Sequence, residues 1–185
     1  MPARTIVGIS GSLRRGSFNT MLLRSARELA PDELKVEIAS IREIPLYDGD
    51  LETEHGVPDA VQALKNQIAG AAGLLLATPE YNTSIPGVFK NAIDWLSRPP
   101  ADIPRVFGDR PVALMGATPG PGGTILAQAA WLQVLRTLGT RPWWGPRLMV
   151  SRADTVFDRE GRLTDEVLRT RVRDFMAGFA RFMAG

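Results

Sequence analysis

The chain of 185 residues is long enough to bury a proper core, and its apolar fraction of 44% and charged fraction of 23% are ordinary for a globular protein. It contains no cysteine and one histidine, His55, which argues against disulfides, thiolate chemistry and sites built on paired histidines. The net charge is only +2 and the arginines are dispersed, so we expect no nucleic-acid partner. Any demanding chemistry would therefore depend on a bound cofactor.

No apolar run approaches the length of a membrane span, and residues 1–4 lead directly into a predicted strand without a signal peptide. We therefore expect a cytoplasmic protein with no membrane partner. No linker, repeat or low-complexity segment interrupts residues 1–185, so the sequence predicts a single domain.

The first predicted strand, residues 5–9, runs into a loop of glycine, serine and arginine, and helical spacing follows over residues 21–30. A strand, a small polar loop and a helix N-terminus are typical of a phosphate site, because the first helical amides lack internal partners. A simple helix cap would need only one of the polar side chains in this loop. The loop matches neither the nucleoside-triphosphate P-loop nor G-x-G-x-x-G. The candidate short donors are Ser10, Ser12, Ser17, Asn19 and Thr20.

Strands and helices alternate along the rest of the chain. Further strands are predicted over residues 34–39, 73–77 and 111–116, with a fifth ending at 147–150, and residues 40–58 read as a loop. Helices are predicted over residues 59–71, from Pro86 at the first helical position to the prolines at 99–104, over 125–138, and from a cap at Thr164 to about 183. This alternation predicts an α/β fold, a three-layer doubly wound five-stranded parallel sheet of order 2-1-3-4-5.

The loops after strands one, three and four would then share one crevice at the carboxyl edge of the sheet. The second loop, residues 78–85, offers Tyr81 for stacking and Asn82 for hydrogen bonds. The third loop, residues 117–124, is almost all backbone, so a flat ring could lie against its amides. A phosphate group at one end and a planar polar ring at the other describe a mononucleotide, and a flavin best of all.

Two stretches, GISGSLRRGSFN at residues 8–19 and TPEYNTSIPGVFKNAIDW at residues 78–95, closely resemble the NAD(P)H-dependent FMN reductase family. The resemblance covers roughly residues 4–138 and implies a flavodoxin-like fold, bound FMN, and NADPH or NADH as co-substrate. It implies small-molecule acceptors such as quinones, flavin, ferric chelates, chromate and azo dyes. Members are usually dimers or dimers of dimers, so the resemblance also implies a homodimer or homotetramer.

By position, the resemblance assigns three groups of residues to FMN. The phosphate group would be held by Ser10, Ser12, Arg14, Ser17, Asn19 and Thr20; the ribityl chain and isoalloxazine by Pro79, Glu80, Tyr81 and Asn82; and the other side of the ring by Thr118, Gly120, Gly122 and Gly123. No catalytic side chain and no metal ligand is expected, because the flavin carries the chemistry.

The sequence allows more than one role for Glu80, for Arg15 and for the tryptophans, and more than one function for the chain. Glu80 could bridge loops, accept from backbone amides, sit at a subunit interface or act as a general acid, and Arg15 could contact a nicotinamide-cofactor phosphate or only solvent. The family often carries arginines in the helix after the third loop; this chain does not, and Trp131, Trp143 and Trp144 could form an apolar interface instead. The alternative function is a flavodoxin-type electron carrier without nicotinamide activity, or a sensor of another nucleotide.

Overall fold

The computed structural model of the chain describes residues 2–185. The strands are β1 (Arg4–Ser10), β2 (Leu34–Ala39), β3 (Gly73–Ala77), β4 (Pro111–Ala117), β5 (Arg141–Pro142) and β6 (Leu148–Val150). The helices are α1 (Phe18–Glu28), α2 (Gly49–His55), α3 (Asp59–Ala69), α4 (Gly87–Leu96), α5 (Ile103–Val106), α6 (Ile125–Thr137) and α7 (Glu166–Ala184). All strand pairs are parallel, and the order β2-β1-β3-β4-β5 confirms the predicted topology.

The core lies on both faces of the sheet. On one face, apolar side chains such as Ile6 pack with helices α1 and α7, and on the other face Val7 and Ile9 pack with α3, α4 and α6. Strand β3 is buried along its whole length, which explains its continuous apolar sequence. The register pairs Ser10 with Ala77 and Ala77 with Met115, so the loops after β1, β3 and β4 leave the sheet at one level.

The fifth strand differs from the prediction because it is split into β5 and β6, which both pair with β4. Between them the chain leaves the sheet edge, and the Trp143 ring packs edge-on against Phe175 of α7, with ring centroids 5.0 Å apart. A Cβ atom at Gly145 would overlap the Trp143 ring, so this excursion requires glycine there. Pro146 lacks the N–H that a continuous strand would need.

The predicted loop over residues 40–58 was wrong in its second half, where α2 forms. Its N-cap is Asp48, whose carboxylate accepts a hydrogen bond from the backbone N–H of Asp50 at 2.9 Å. Arg98, beyond the end of α4, donates to Glu52 Oε2 at 2.9 Å and lowers the pKa of that carboxyl, and the Tyr47 hydroxyl donates to the same oxygen. These distant contacts stabilise a helix whose own sequence has no apolar periodicity.

Three helix boundaries differ from the sequence prediction. The last helix is capped by Asp165 rather than Thr164, because the Asp165 carboxylate accepts from the N–H of Leu168 at 2.7 Å. Pro86 is the residue before α4 instead of its first residue. Helix α1 begins at Phe18, three residues earlier than predicted, because Ser17 already provides its cap.

Candidate functional site

The loop after β1 presents three hydroxyl groups beside an arginine. Ser17 caps α1, since its hydroxyl accepts from the N–H of Thr20 at 3.3 Å. The Thr20 hydroxyl donates to Ser10 Oγ at 2.9 Å, and Ser12 Oγ accepts from the N–H of Arg14 at 3.4 Å. Ser10, Ser12, Thr20 and Arg14 line one open cleft. Four of the six predicted phosphate residues are thus gathered around one space.

The other two predicted phosphate residues are buried and already engaged within the fold. Ser17 and Asn19 are each 3% exposed, and Ser17 supplies the one cap that an ordinary helix requires. The Asn19 amide donates to the carbonyl of Ala117 at 2.8 Å and accepts from the N–H of Ala117 at 3.0 Å. These bonds fix the β1 loop against the start of the third loop, and direct phosphate contact by Ser17 and Asn19 stays a prediction.

Gly11 lets the first loop lie directly on α4. Its N–H donates to the carbonyl of Ala77 at 2.9 Å, and a Cβ atom at this position would overlap the ring of Phe89. Phe89 packs edge-on against Trp131, with centroids 4.9 Å apart. Trp131 is fully buried, so it cannot contribute to a surface interface as the sequence had suggested, whereas Trp144 is 66% exposed.

The second loop ends in a tight turn that exposes its aromatic side chain. Tyr81 and Ser84 exchange two backbone hydrogen bonds, of 3.2 and 3.1 Å. Asn82 and Thr83 both have positive φ, 49° and 62°, which is the conformation of a type I′ turn. Pro79 is buried at the base of the loop, while Tyr81 is 44% exposed and Asn82 is exposed. Tyr81 and Asn82 are therefore available to a ligand.

Glu80 connects the second loop to the start of α6. Its Oε2 atom accepts from the N–H of Leu126 at 2.9 Å and from that of Ala127 at 3.1 Å. Helix α6 has no cap of its own, because Thr124 has a left-handed φ of 68° and makes no capping bond. Two of the roles considered for Glu80 are therefore present in the structure: it bridges two segments, and it accepts hydrogen bonds from backbone amides.

The third loop is held by the segment that follows β6. The N–H of Thr118 donates to the carbonyl of Val150 at 2.9 Å, and the N–H of Gly120 donates to the Thr118 hydroxyl at 3.3 Å. Gly122 is exposed, and the space around its Cβ position is open. Gly123 is buried with a φ of 58°, a conformation that favours glycine. The loop thus leaves open space at Gly122, and contact of this loop with a flat ring stays a prediction.

Two arginines that the sequence did not single out line the same cleft as Ser12 and Arg14. Arg24 lies one helical turn beyond Thr20, and Arg42 follows the carboxyl end of β2, the strand beside β1. The i, i+4 spacing from Thr20 was visible in the sequence, but the approach of Arg42 depends on strand order.

The part of the chain that carries these loops matches a known protein family. The sequence model of the NADPH-dependent FMN reductase family matches residues 4–155. The chain belongs to this family. All three loops of the candidate site fall inside the matched region.

Members of curated function are similar over most of their length. An NAD(P)H-dependent FMN reductase of Pseudomonas aeruginosa is 46% identical over 164 residues, covering 89% of this chain and 86% of the relative. A quinone reductase of Escherichia coli K12 is 39% identical over 174 residues, covering 94% and 89%. The solved structure of FerB, a flavoenzyme NAD(P)H:(acceptor) oxidoreductase from Paracoccus denitrificans, superposes with a TM-score of 0.88 at 32% identity, covering 98% of both chains.

Proposed function

We propose that this chain is an NAD(P)H-dependent FMN oxidoreductase that reduces quinones or similar small acceptors, with FMN bound where the three loops meet. The observation that carries the proposal is the joining of those loops at one sheet edge. Asn19, in the first turn of α1 just after the first loop, bonds Ala117 where the third loop begins, and Glu80 bonds the second loop to Leu126 in the first turn of α6, just after the third loop. Family membership and the reductase relatives support the same reaction.

The side chains around the cleft suit a phosphate monoester. Three hydroxyls, from Ser10, Ser12 and Thr20, lie on one wall, and the Arg14 guanidinium has no carboxylate within 4 Å among residues 2–185. A guanidinium with free donors is well matched to phosphate. The phosphate end of FMN would therefore be held by Ser10, Ser12, Arg14 and Thr20, with Ser17 and Asn19 keeping the loop in shape.

The other two loops suit the ring end of FMN. Tyr81 and Asn82 are exposed beside the buried Pro79, and the Gly120–Gly123 segment leaves the Cβ space of Gly122 empty. In the proposal, Pro79, Glu80, Tyr81 and Asn82 border the ribityl chain and one side of the ring. Thr118, Gly120, Gly122 and Gly123 border the other side with backbone.

Bound FMN would supply the redox chemistry, accepting a hydride from NAD(P)H and passing two electrons to the acceptor. The protein's own residues bind and orient. The glycine-rich third loop offers backbone amides as donors, and these could stabilise negative charge on a planar ring without moving. Glu80 holds the two ring-side loops at one separation. No acidic or basic side chain is assigned a proton-transfer step.

Quinones are the acceptor class that the relatives support best. The E. coli relative is a quinone reductase, and a Burkholderia relative that is 36% identical over 181 residues is a 2-hydroxy-1,4-benzoquinone reductase. An exposed ring at the edge of the sheet would place few steric limits on the acceptor. Free flavin, ferric chelates, chromate and azo dyes therefore belong to the proposed range as secondary acceptors.

The proposal includes a homodimer, or a dimer of dimers, that uses the exposed face beside α4. Leu46 is 79% exposed, and it adjoins Tyr47, whose N–H donates to Asn91 of α4 at 2.8 Å. Val88, one turn before Asn91 on the same helix, is also exposed. An apolar face of this kind is typical of an interface. Sedimentation velocity of Leu46→Glu together with Val88→Glu should show a shift toward monomer.

The proposal also includes a cytoplasmic location, where reduced nicotinamide cofactors are maintained. Within residues 2–185 no helix is both long and apolar enough to cross a bilayer.

The decisive experiment is an anaerobic absorbance titration of the purified, FMN-loaded protein with NADPH and with NADH. We expect the flavin band to bleach completely with one equivalent of donor, and a quinone to restore it. A flavin band that neither nucleotide bleaches would instead identify an electron carrier. Failure to retain FMN after incubation with excess FMN would overturn the proposed function.

A further inference from the structure

The cleft beside the β1 loop is much richer in arginine than one phosphate requires. Its walls carry four guanidinium groups, from Arg14 and Arg15 in the loop, Arg24 on α1 and Arg42 after β2. All four side chains are exposed, and none has a carboxylate within 4 Å in the described part of the chain. No aspartate or glutamate lines the cleft.

This lack of acidic partners sets the four arginines apart from others in the molecule. Arg98, Arg105, Arg162 and Arg169 each form an ion pair with a nearby carboxylate. Like charges that share a cleft repel one another and raise the free energy of the unliganded protein. An anion that occupied the cleft would relieve this repulsion.

The fold holds Arg42 at this position. Its Nη2 atom donates to the carbonyl of Leu13 at 2.5 Å, which ties the segment after β2 to the phosphate loop. Its backbone N–H donates to the hydroxyl of Ser40 at 3.2 Å, and Ser40 lines the same cleft. The remaining N–H groups of this guanidinium are free to bind an anion.

The position of Arg42 in the sheet indicates which anion it would bind. In the dinucleotide-binding (Rossmann) type of parallel α/β sheet, the end of the second strand lies beside the first-strand loop, where an acidic residue contacts the ribose 2′-hydroxyl of NAD and an arginine accommodates the 2′-phosphate of NADP. This chain has Ser40 and Arg42 just after β2 and no acidic residue in the cleft. FMN itself has one phosphate, for which Arg14 and three hydroxyls already suffice.

We propose that Arg24, Arg42 and Ser40 form a second anion subsite that binds the 2′-phosphate of NADPH, so that the enzyme prefers NADPH to NADH. This inference rests on the proposed function, because the donor must reach FMN bound in the adjoining crevice. Arg15, which also lines the cleft, is available to the pyrophosphate of the same nucleotide.

The first test measures binding without turnover. Isothermal titration of the FMN-loaded protein with adenosine 2′,5′-bisphosphate and with adenosine 5′-monophosphate isolates the contribution of the 2′-phosphate. We expect the bisphosphate to bind at least about tenfold more tightly, as for one charge-assisted hydrogen-bond site. Equal affinities would overturn the proposal. Displacement of the bisphosphate by inorganic phosphate at equal concentration would also overturn it, since the site would then recognise free phosphate.

The second test compares the two donors in variants. Arg24→Ala, whose side chain makes no hydrogen bond within residues 2–185, should lower the ratio of kcat/KM for NADPH to kcat/KM for NADH by about tenfold. Arg42→Ala should do the same, and Arg42→Lys should recover part of the ratio. Arg27→Ala is the matched control, because Arg27 is exposed on the same helix and lines a different groove. An unchanged ratio in Arg24→Ala and Arg42→Ala would overturn the inference.

Different results would contradict the 2′-phosphate subsite and the proposed reductase function. If FMN is retained and NADH and NADPH reduce it equally well, only the 2′-phosphate subsite is wrong. If FMN is not retained, or neither donor reduces it, the reductase assignment itself fails.

Discussion

The side-chain amide of Asn19 and the backbone of Ala117 are joined by two reciprocal hydrogen bonds across 98 positions of sequence. Asn19 lies in the first turn of α1, and Ala117 is the last residue of β4. Both residues are 3% exposed, so neither group can exchange its partner for water. The pair fixes how far the phosphate loop stands from the glycine-rich third loop.

Replacement of Asn19 by alanine should therefore damage both the fold and the site. The variant leaves the N–H and C=O of Ala117 buried without partners, which costs about 2–4 kcal/mol of the free energy of unfolding. We also expect weaker FMN retention, because the two loops lose their link. Urea unfolding and FMN titration measure the two effects. Ser25→Ala is the control, since Ser25 is buried on the same helix but its hydroxyl donates only to the carbonyl of Met21. Equal losses of stability and of FMN affinity in the two variants would contradict the proposed role of Asn19.

Ser12 and Arg14 are the two proposed phosphate ligands whose side chains contribute least to the fold, so replacing them tests the phosphate assignment. Ser12→Ala combined with Arg14→Ala should weaken FMN binding by about 2–4 kcal/mol, through loss of one neutral and one charge-assisted hydrogen bond. Fluorescence quenching of FMN gives the affinity, and its salt dependence should fall in the variant because a charge contact is lost. Unchanged FMN affinity would show that the phosphate group lies elsewhere. Arg27→Ala again serves as a control.

Glu80 is expected to position the second and third loops without transferring a proton. Glu80→Ala removes the acceptor for two amides of α6 and should lower the free energy of unfolding by about 1–2 kcal/mol. Glu80→Gln keeps one acceptor oxygen and should recover most of the loss. In steady-state kinetics we expect KM to rise more than kcat falls. A large fall in kcat in both variants, with a changed pH profile, would instead indicate a general acid.

Lys65 and Asp102 provide a prediction about pH. Lys65 is fully buried, and its ammonium lies 2.5 Å from Asp102 Oδ2 and donates to the carbonyl of Arg98. The Lys65 ammonium, with Arg105 contributing less, lowers the pKa of Asp102. A lowered folded-state pKa stabilises the fold above the unfolded value, about 3.9, and this contribution disappears as the pH falls through the folded pKa.

Asp102→Asn should accordingly be less stable than the wild type at pH 7, and the difference should shrink below about pH 4. Urea unfolding at pH 7 and at pH 3 measures both values. A difference that is the same at the two pH values would contradict the ion pair. Asp109→Asn offers a comparison, because Asp109 is largely exposed and lies 3.8 Å from Arg141.

The order of the sheet and the positions of the three loops followed from the sequence because each depends on local pattern. A strand buried on both faces must be apolar throughout, as β3 is, and alternation of such strands with amphipathic helices leaves few topologies. Polar residues after β1 and β3, and glycines after β4, then fall at one edge. The hydroxyl residues Ser10, Ser12 and Thr20, which line one cleft, could be named for the same reason.

Features that depend on contacts between distant segments could not be predicted. Helix α2 forms because Arg98 reaches Glu52, and the fifth strand is interrupted after Trp143, whose ring packs on α7 while its backbone N–H still donates to the carbonyl of Val112. Neither partner is within a helical turn of the residue that it affects. Sequence periodicity reports only neighbours along the chain.

Residue type and order were sufficient to determine an α/β sheet of order 2-1-3-4-5 with a polar loop of glycine, serine and arginine after its first strand. Contacts between distant segments determine which polar groups have no partner within the protein. The sequence assigns Asn19 and Glu80 to FMN, and in the structure their side chains also bond Ala117 and the start of α6. Arg24 and Arg42 look like surface charges, but packing places them in one cleft with Arg14. A polar side chain forms hydrogen bonds with the groups that the fold places within about 3 Å of it. Strand order and helix packing determine which groups those are.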